Sequence, residues 1–332
     1  MNSHTNKFCF CVVAAIAFFA GMYVYSLVKK DAFISCLNAK HTYLNPELDC
    51  FDTESLFAKI SDTEAQVTKY IKKTISLNKA KRISVFYRDL NSRRWFGINQ
   101  TELYIPASIL KLPLAIAYHK LSEIDPAMLS QEIIFINDTN SLNTNEYFKP
   151  EESLVVGKKY QISELIDRML MYSDNDAAKI LVENINGNYH EKVLLDMGVH
   201  IPRSPEGTIK VDFFAASTYA ALFRSLYNSS YLNLDKSDKI LQTLSLSRFD
   251  DGLVAGIPKT IKVANKFGEV LISDSKTGDI ARTELHDCGI IYHPDTPYIL
   301  CVMTGGTSFE VLSGVIADIS KIVWENQGGV DN

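Results

Sequence analysis

The sequence predicts an α/β protein of the α+β type, with an antiparallel sheet flanked by helices, an all-helical lobe, and an N-terminal transmembrane helix. Three observations carry this expectation. An uncharged apolar run covers residues 8–28. β-Branched and aromatic runs stand near both ends of the remainder, at 82–88 and 94–98, then at 261–271, 286–292 and 298–303. Between them the hydrophobic residues recur at helical spacing. The order helix, two strands, helices, three strands, helix lets strands from both ends pair in one sheet while the middle forms a second lobe.

The apolar run is bounded by Lys7 on one side and by Lys29 and Lys30 on the other. At about 1.5 Å of rise per residue it is long enough to span a hydrocarbon core. A cleaved signal peptide has a shorter apolar region that ends in small residues at its cleavage site. Residues 23–27 offer no such site, so an uncleaved anchor at 1–30 is expected. Residues 31–64 read as a stalk and the start of the first helix, and residues 65–332 as the folded domain. The lysines after the span lean towards a cytoplasmic C-terminal part. The chemistry below points to an extracytoplasmic one, which is the expectation adopted because the charge difference is small.

Helical stripes follow in order. Within 53–76, Leu56, Ile60, Val67, Ile71 and Ile75 fall mostly on one face. Further helices are expected at 110–121, 160–171, 176–184, 188–197, 215–227 and 309–325. Of the 332 residues, 46% are hydrophobic and 22% charged, a balance that excludes disorder. A net charge of −5 gives no sign of a nucleic-acid partner. Metal-ligand spacing and a phosphate-cradling glycine loop are both missing, so no cofactor is expected.

Cys9 and Cys11 lie in the apolar run, Cys36 and Cys50 just after it. Cys288 and Cys301 are expected to face each other across a hairpin turned at His293-Pro294-Asp295-Thr296-Pro297. Outside the cytoplasm the last two pairs can be disulfides. Buried free thiols are the alternative.

Four Ser-x-x-Lys strings begin at Ser26, Ser76, Ser108 and Ser273. Only Ser108 opens a helix after a proline and small-residue turn, Ile105-Pro106-Ala107-Ser108-Ile109-Leu110-Lys111. Residues three apart share a helix face, so Lys111 can reach the Ser108 hydroxyl. The free N–H groups of a helix start favour a developing oxyanion. A serine attacks only when a base takes its proton, and a lysine serves as base only when burial or another cation lowers its pKa. The bland reading is a helix cap and a surface lysine.

Ser173-Asp174-Asn175 follows at a break between two helices. A turn there can aim side chains into a cleft, or simply cap the next helix. A third lysine is ambiguous. Lys276-Thr277-Gly278 stands among polar residues, whereas Lys266-Phe267-Gly268 lies in the β-branched run Thr260-Ile261-Lys262-Val263-Ala264-Asn265. Lys266 is the choice made, with Lys276 the alternative.

Together these three boxes, in this order, resemble those of penicillin-recognising serine hydrolases, class A β-lactamases in particular. The resemblance covers roughly residues 65–326 and includes His286-Asp287-Cys288-Gly289-Ile290-Ile291-Tyr292, similar to the strand after the third box. It implies a β-lactamase-like fold and an acyl-enzyme mechanism. Ser108 would be the nucleophile, Lys111 its base, and Ser173 the proton relay to the leaving nitrogen. Asn175 and Lys266 would bind substrate, and Gly268 would let it approach the strand. The N–H groups of Ser108 and Glu269 would form the oxyanion hole.

Two departures stand out. Phe267 replaces the hydroxyl residue that helps hold the substrate carboxylate. The Glu-x-x-Leu-Asn setting of the deacylating glutamate is missing, and Glu206 is the nearest loop candidate. His286 and Asp287 invite a triad with Ser108, but read more simply as polar residues at a strand start. Three functions remain open: a β-lactamase, a D,D-peptidase or amidase acting on cell-wall peptides, and a non-hydrolytic sensing domain.

Overall fold

The computed structural model describes residues 53–136, 142–143, 146–203, 210–273 and 280–327, together with Phe18. The expected membrane span, the stalk, Cys36, Cys50, Glu206 and Lys276 lie outside these residues, Phe18 of the span apart. Among the described residues no helix is long and apolar enough to cross a membrane.

The first helix, α1, is Thr53–Ser76. Strands β1 (Ala80–Asp89) and β2 (Trp95–Ile98) follow, and three more close the chain: β5 (Val263–Ser273), β6 (Ile280–Ile291) and β7 (Tyr298–Gly306). They form one sheet of order β2-β1-β7-β6-β5 with every neighbouring pair antiparallel. Strands from the two ends of the chain therefore share a sheet, joined by the β1–β7 ladder.

That sheet separates two cores because side chains alternate along a strand. In β7, Leu300 and Val302 join one apolar cluster with Val67, Ile71, Leu312 and Ile316, which lie on α1 and on the last helix, α8 (Phe309–Gln327). Ile299, Cys301 and Met303 face the other cluster, built from the helical middle of the chain. Strands buried on both faces read as continuous apolar runs, and β7 does so.

The helical lobe holds α2 (Lys111–Ser122), α3 (Ile162–Met171), α4 (Asn175–Asn184), α5 (Gly187–Asp196), α6 (Ala216–Tyr227) and α7 (Leu234–Leu244). A small ribbon, β3 (Glu132–Ile134) with β4 (Lys159–Gln161), lies before α3 in the chain. Helix α7 and this ribbon escape the sequence reading. Strand β6 also begins six residues before the expected start, so His286 and Asp287 lie within the strand rather than at its beginning. Cys288 and Cys301 are register partners on β6 and β7, as expected, and are joined by a disulfide with Cα atoms 4.0 Å apart.

Candidate active site

Ser108 sits in the single turn Ala107–Leu110 that runs directly into α2. Pro106, at φ −66°, starts the turn. Ala107 takes a left-handed φ of 48°, a conformation that a residue with a Cβ keeps only where its surroundings hold it. Here they do: Ile109 N–H donates to Pro106 O at 3.0 Å, and Tyr104 N–H to Phe214 O at 2.9 Å. Ile105 N–H donates to Glu284 Oε2 at 3.3 Å. The nucleophile candidate is thus presented, half-buried, at a helix start.

Strand β5 presses on the same turn. A Cβ added at Gly268 would lie 3.2 Å from Pro106 O and 3.3 Å from Ile109 N. Glycine therefore lets the strand reach the peptide groups on either side of Ser108.

Lys111 is buried on the first turn of α2. Its Nζ donates to Ser173 O (2.5 Å), Ser173 Oγ (3.1 Å) and Asn175 Oδ1 (2.5 Å). Lys266, fully buried on β5, donates to the same Ser173 Oγ at 2.9 Å and to Phe267 O at 2.7 Å. A hydroxyl has two acceptor lone pairs and one proton. Two lysines occupy the lone pairs, so the Ser173 proton is left to donate elsewhere. Ser173 is itself left-handed, with φ 56°, and that kink between α3 and α4 divides the second box. Asp174 turns inward, capping α4 through the N–H groups of Asp176 and Ala177 and pairing with Arg168 Nε at 3.1 Å. Ser173 and Asn175 turn towards the lysines. The capping and cleft-facing readings of this box both hold, for different residues.

Burial lowers the Lys111 ammonium to about 8, against the opposing pull of Glu146, Asp174 and Glu269. Burial, and then the charge of Lys111, pushes Lys266 well below the usual lysine range. Both effects favour a neutral amine.

Lys266 Nζ donates to Phe267 O, which places that carbonyl on the cleft edge of β5. Backbone groups two residues apart on a strand face the same edge. The Glu269 peptide therefore faces the cleft, as the expected oxyanion hole requires. The Glu269 side chain does something the sequence did not announce. It accepts from Tyr147 N–H (2.8 Å) and Phe148 N–H (3.3 Å), tying a loop across the cleft. Burial and the neighbouring Glu146 raise its carboxyl to about 8. Glu146 in turn accepts from Asn175 Nδ2 at 2.7 Å. A carboxylate only accepts, so Glu146 fixes the amide with Oδ1 facing Lys111.

Phe267 is buried, stacked on Phe249 with centroids 4.3 Å apart and edge-on to Phe148 at 5.5 Å. His286 and Asp287 form no dyad, because neighbours on a strand point to opposite faces. His286 Nε2 lies 3.2 Å from Ile105 O. Asp287 accepts from Leu253 N–H at 2.9 Å and Asn265 Nδ2 at 3.1 Å.

The structure thus gathers Lys111, Ser173, Asn175 and Lys266 and sets Gly268 and Glu269 beside the turn carrying Ser108. The sequence reading missed Glu146, Tyr147, Phe148 and Phe249. The first three lie in a stretch without periodicity.

Solved structures share this architecture. TLA-1 extended-spectrum β-lactamase aligns over 81% of this chain and 99% of its own, at 20% identity and a TM-score of 0.65. A β-lactamase from Chitinophaga pinensis aligns over 80% and 100%, at 21% and 0.64. A variant of PBP-A in an acyl-enzyme complex with penicillin G aligns over 80% and 96%, at 16% and 0.63. No curated protein matches the chain. The pattern of the β-lactamase enzyme family matches residues 66–327, most of the chain. The chain belongs to the β-lactamase enzyme family.

Proposed function

We propose that this chain is a serine hydrolase that forms an acyl-enzyme at Ser108 with β-lactams and releases it slowly. The observation that carries the reading is the Ser173 hydroxyl shared by two buried lysines, which supports a proton relay at the mouth of a strained serine turn. Ser108 Oγ attacks the carbonyl carbon while its proton passes to Lys111. The N–H groups of Ser108 and Glu269 stabilise the oxyanion. The C–N bond then breaks as Ser173 gives its proton to the leaving nitrogen, and a lysine ammonium replaces it. Asn175 orients Lys111 and binds the substrate amide.

Deacylation needs a second base holding water beside the ester. The acidic groups acting most strongly on Lys111 are Glu146, Asp174 and Glu269. Asp174 is committed to capping, Glu269 is shifted towards its neutral form, and Glu146 is held by Asn175. Glu206 remains the proposed, weaker candidate. A missing general base costs about 10²–10⁴ in rate. The same features favour a second reading, a D,D-peptidase or amidase acting on cell-wall peptides and trapped by β-lactams. We also propose that residues 8–28 tether the domain to a membrane, outside the cytoplasm.

The test is covalent labelling by a fluorescent penicillin, followed by pre-steady-state turnover of a chromogenic cephalosporin. The expected result is a stoichiometric burst, then slow turnover, with label lost in Ser108→Ala while the fold survives. Label retained in that variant overturns the assignment. Fast linear turnover without a burst overturns the slow step.

A further inference from the structure

Beside the proton relay lies a pocket of about 240 Å³, walled by Phe148, Met171, Phe249 and Phe267, with Lys149, Glu151 and Arg248 also lining it. Its lining meets the catalytic residues at Phe267, whose ring centre stands 4.3 Å from Lys266 Nζ. Met171 and Tyr172 lead into Ser173, and Phe267 follows Lys266. Because Ser173 is the group that protonates the departing atom, this pocket lies on the leaving-group side. Its volume, below that of a drug-sized site, suits a single side chain.

Lys266, the cation expected to hold a leaving-group carboxylate, is already occupied. The neutral amine that burial favours at Lys266 has two N–H donors. One goes to Ser173 Oγ at 2.9 Å and one to Phe267 O at 2.7 Å. Its Nζ also stands 4.3 Å from the centre of the Phe267 ring, which covers another side of it. Phe267 therefore does two things: it removes the hydroxyl that would bind a carboxylate, and it caps the remaining face of the lysine. At the rim, Arg248 Nε lies 3.7 Å from Glu151, with both side chains largely exposed. A carboxylate meeting that solvated pair gains little.

We infer that the leaving-group side of this cleft selects substrates whose departing amine or alcohol carries an uncharged apolar side chain, rather than a carboxylate beside the scissile bond. This rests on Ser108 being the acylated nucleophile. Phe267 is then the residue that sets specificity. The substrates are amides or esters of aromatic or branched aliphatic leaving groups, and an ordinary penicillin acylates Ser108 against this preference.

The full-length chain in detergent is reacted with two matched pairs, and acylation of Ser108 is followed by intact-protein mass spectrometry. The first pair is a penicillin and its carboxyl methyl ester. The second is an acylated dipeptide ester with benzyl alcohol or with mandelic acid as leaving group. The neutral member is expected to acylate at least as fast as the acid in both pairs. Phe267→Thr is expected to raise the acid-to-neutral ratio tenfold or more, while Phe267→Leu, which keeps the apolar surface, leaves it unchanged. A wild-type preference for the acids of tenfold or more overturns the inference, as does a Phe267→Thr variant with the wild-type ratio. If Arg248→Gln abolishes a preference for the acids, the carboxylate is read at Arg248 and the inference fails. Acylation with the wrong preference removes this inference alone. Absence of Ser108 acylation by all four compounds removes the functional reading beneath it.

Discussion

At the scale of single residues, burial lowers the pKa of two lysines that share one hydroxyl. Lys111 near 8 is a base only when deprotonated, so the acylation rate should rise with pH through about 8 and then level off. The midpoint belongs to the coupled Lys111–Lys266 pair rather than to one amine. Glu146 favours the charged form of Lys111. Removing its charge in Glu146→Gln should move the limb to lower pH, measured as burst rate against pH. A limb that stays in place would mean that Glu146 acts only through Asn175. Most of these residues were legible. Ser108 stood out among four Ser-x-x-Lys strings because only it followed a proline turn into an apolar helix. Lys266 was preferred to the literal Lys-Thr-Gly because β-branched neighbours put it on a strand, and the structure does place it against Ser173. Glu146 was not legible. What gives it a role is its approach to Asn175 across the cleft, and no local pattern encodes that contact.

At the scale of elements, the turn bearing Ser108 is held by strand β6. Glu284, fully buried there, accepts from Arg82 on β1, from Arg282 Nε at 2.8 Å and from Ile105 N–H at 3.3 Å. His286, whose Nε2 lies 3.5 Å away, and then Arg82 and Arg282 outweigh the burial penalty and hold its carboxyl near 2. A depressed carboxyl stabilises the fold above the unfolded pKa and ceases to do so as pH falls through the folded one. Stability should therefore fall between about pH 4.5 and pH 2. Glu284→Gln should lose about 2 kcal/mol at neutral pH, allowing for screening at the part-exposed arginines. It should also show a flatter pH dependence in that window, read as denaturant midpoints. An unchanged midpoint would make the cluster a surface feature. Element prediction from sequence worked where periodicity was strong, as for α1 and α4. It failed for α7, whose polar composition hides Ile240, Leu241 and Leu244 on one buried face. It also failed for the start of β6, where Arg282 and Glu284 interrupt the apolar run because they pair with each other, and Glu284 also with Arg82.

At the scale of the whole molecule, strands from both ends of the chain meet in one sheet, and the helical middle packs on one face of it. The cleft follows from that topology, and the topology was readable from the order of elements. The surroundings in which the domain works follow from a different argument. Cys288 and Cys301 are bonded across β6 and β7, both fully buried. A disulfide forms and persists in an oxidising compartment, and cell-wall peptides and β-lactams are met there too. Both considerations favour the extracytoplasmic orientation over the small excess of lysines after residue 28. Two measurements on the native protein check this. Protease added to intact spheroplasts should digest the domain. Denatured protein, trapped on lysis with a maleimide, should carry label on Cys288 and Cys301 only after reduction. Protection from protease together with free thiols at both positions would place the domain in the cytoplasm, and the lysine count would then have been the better guide.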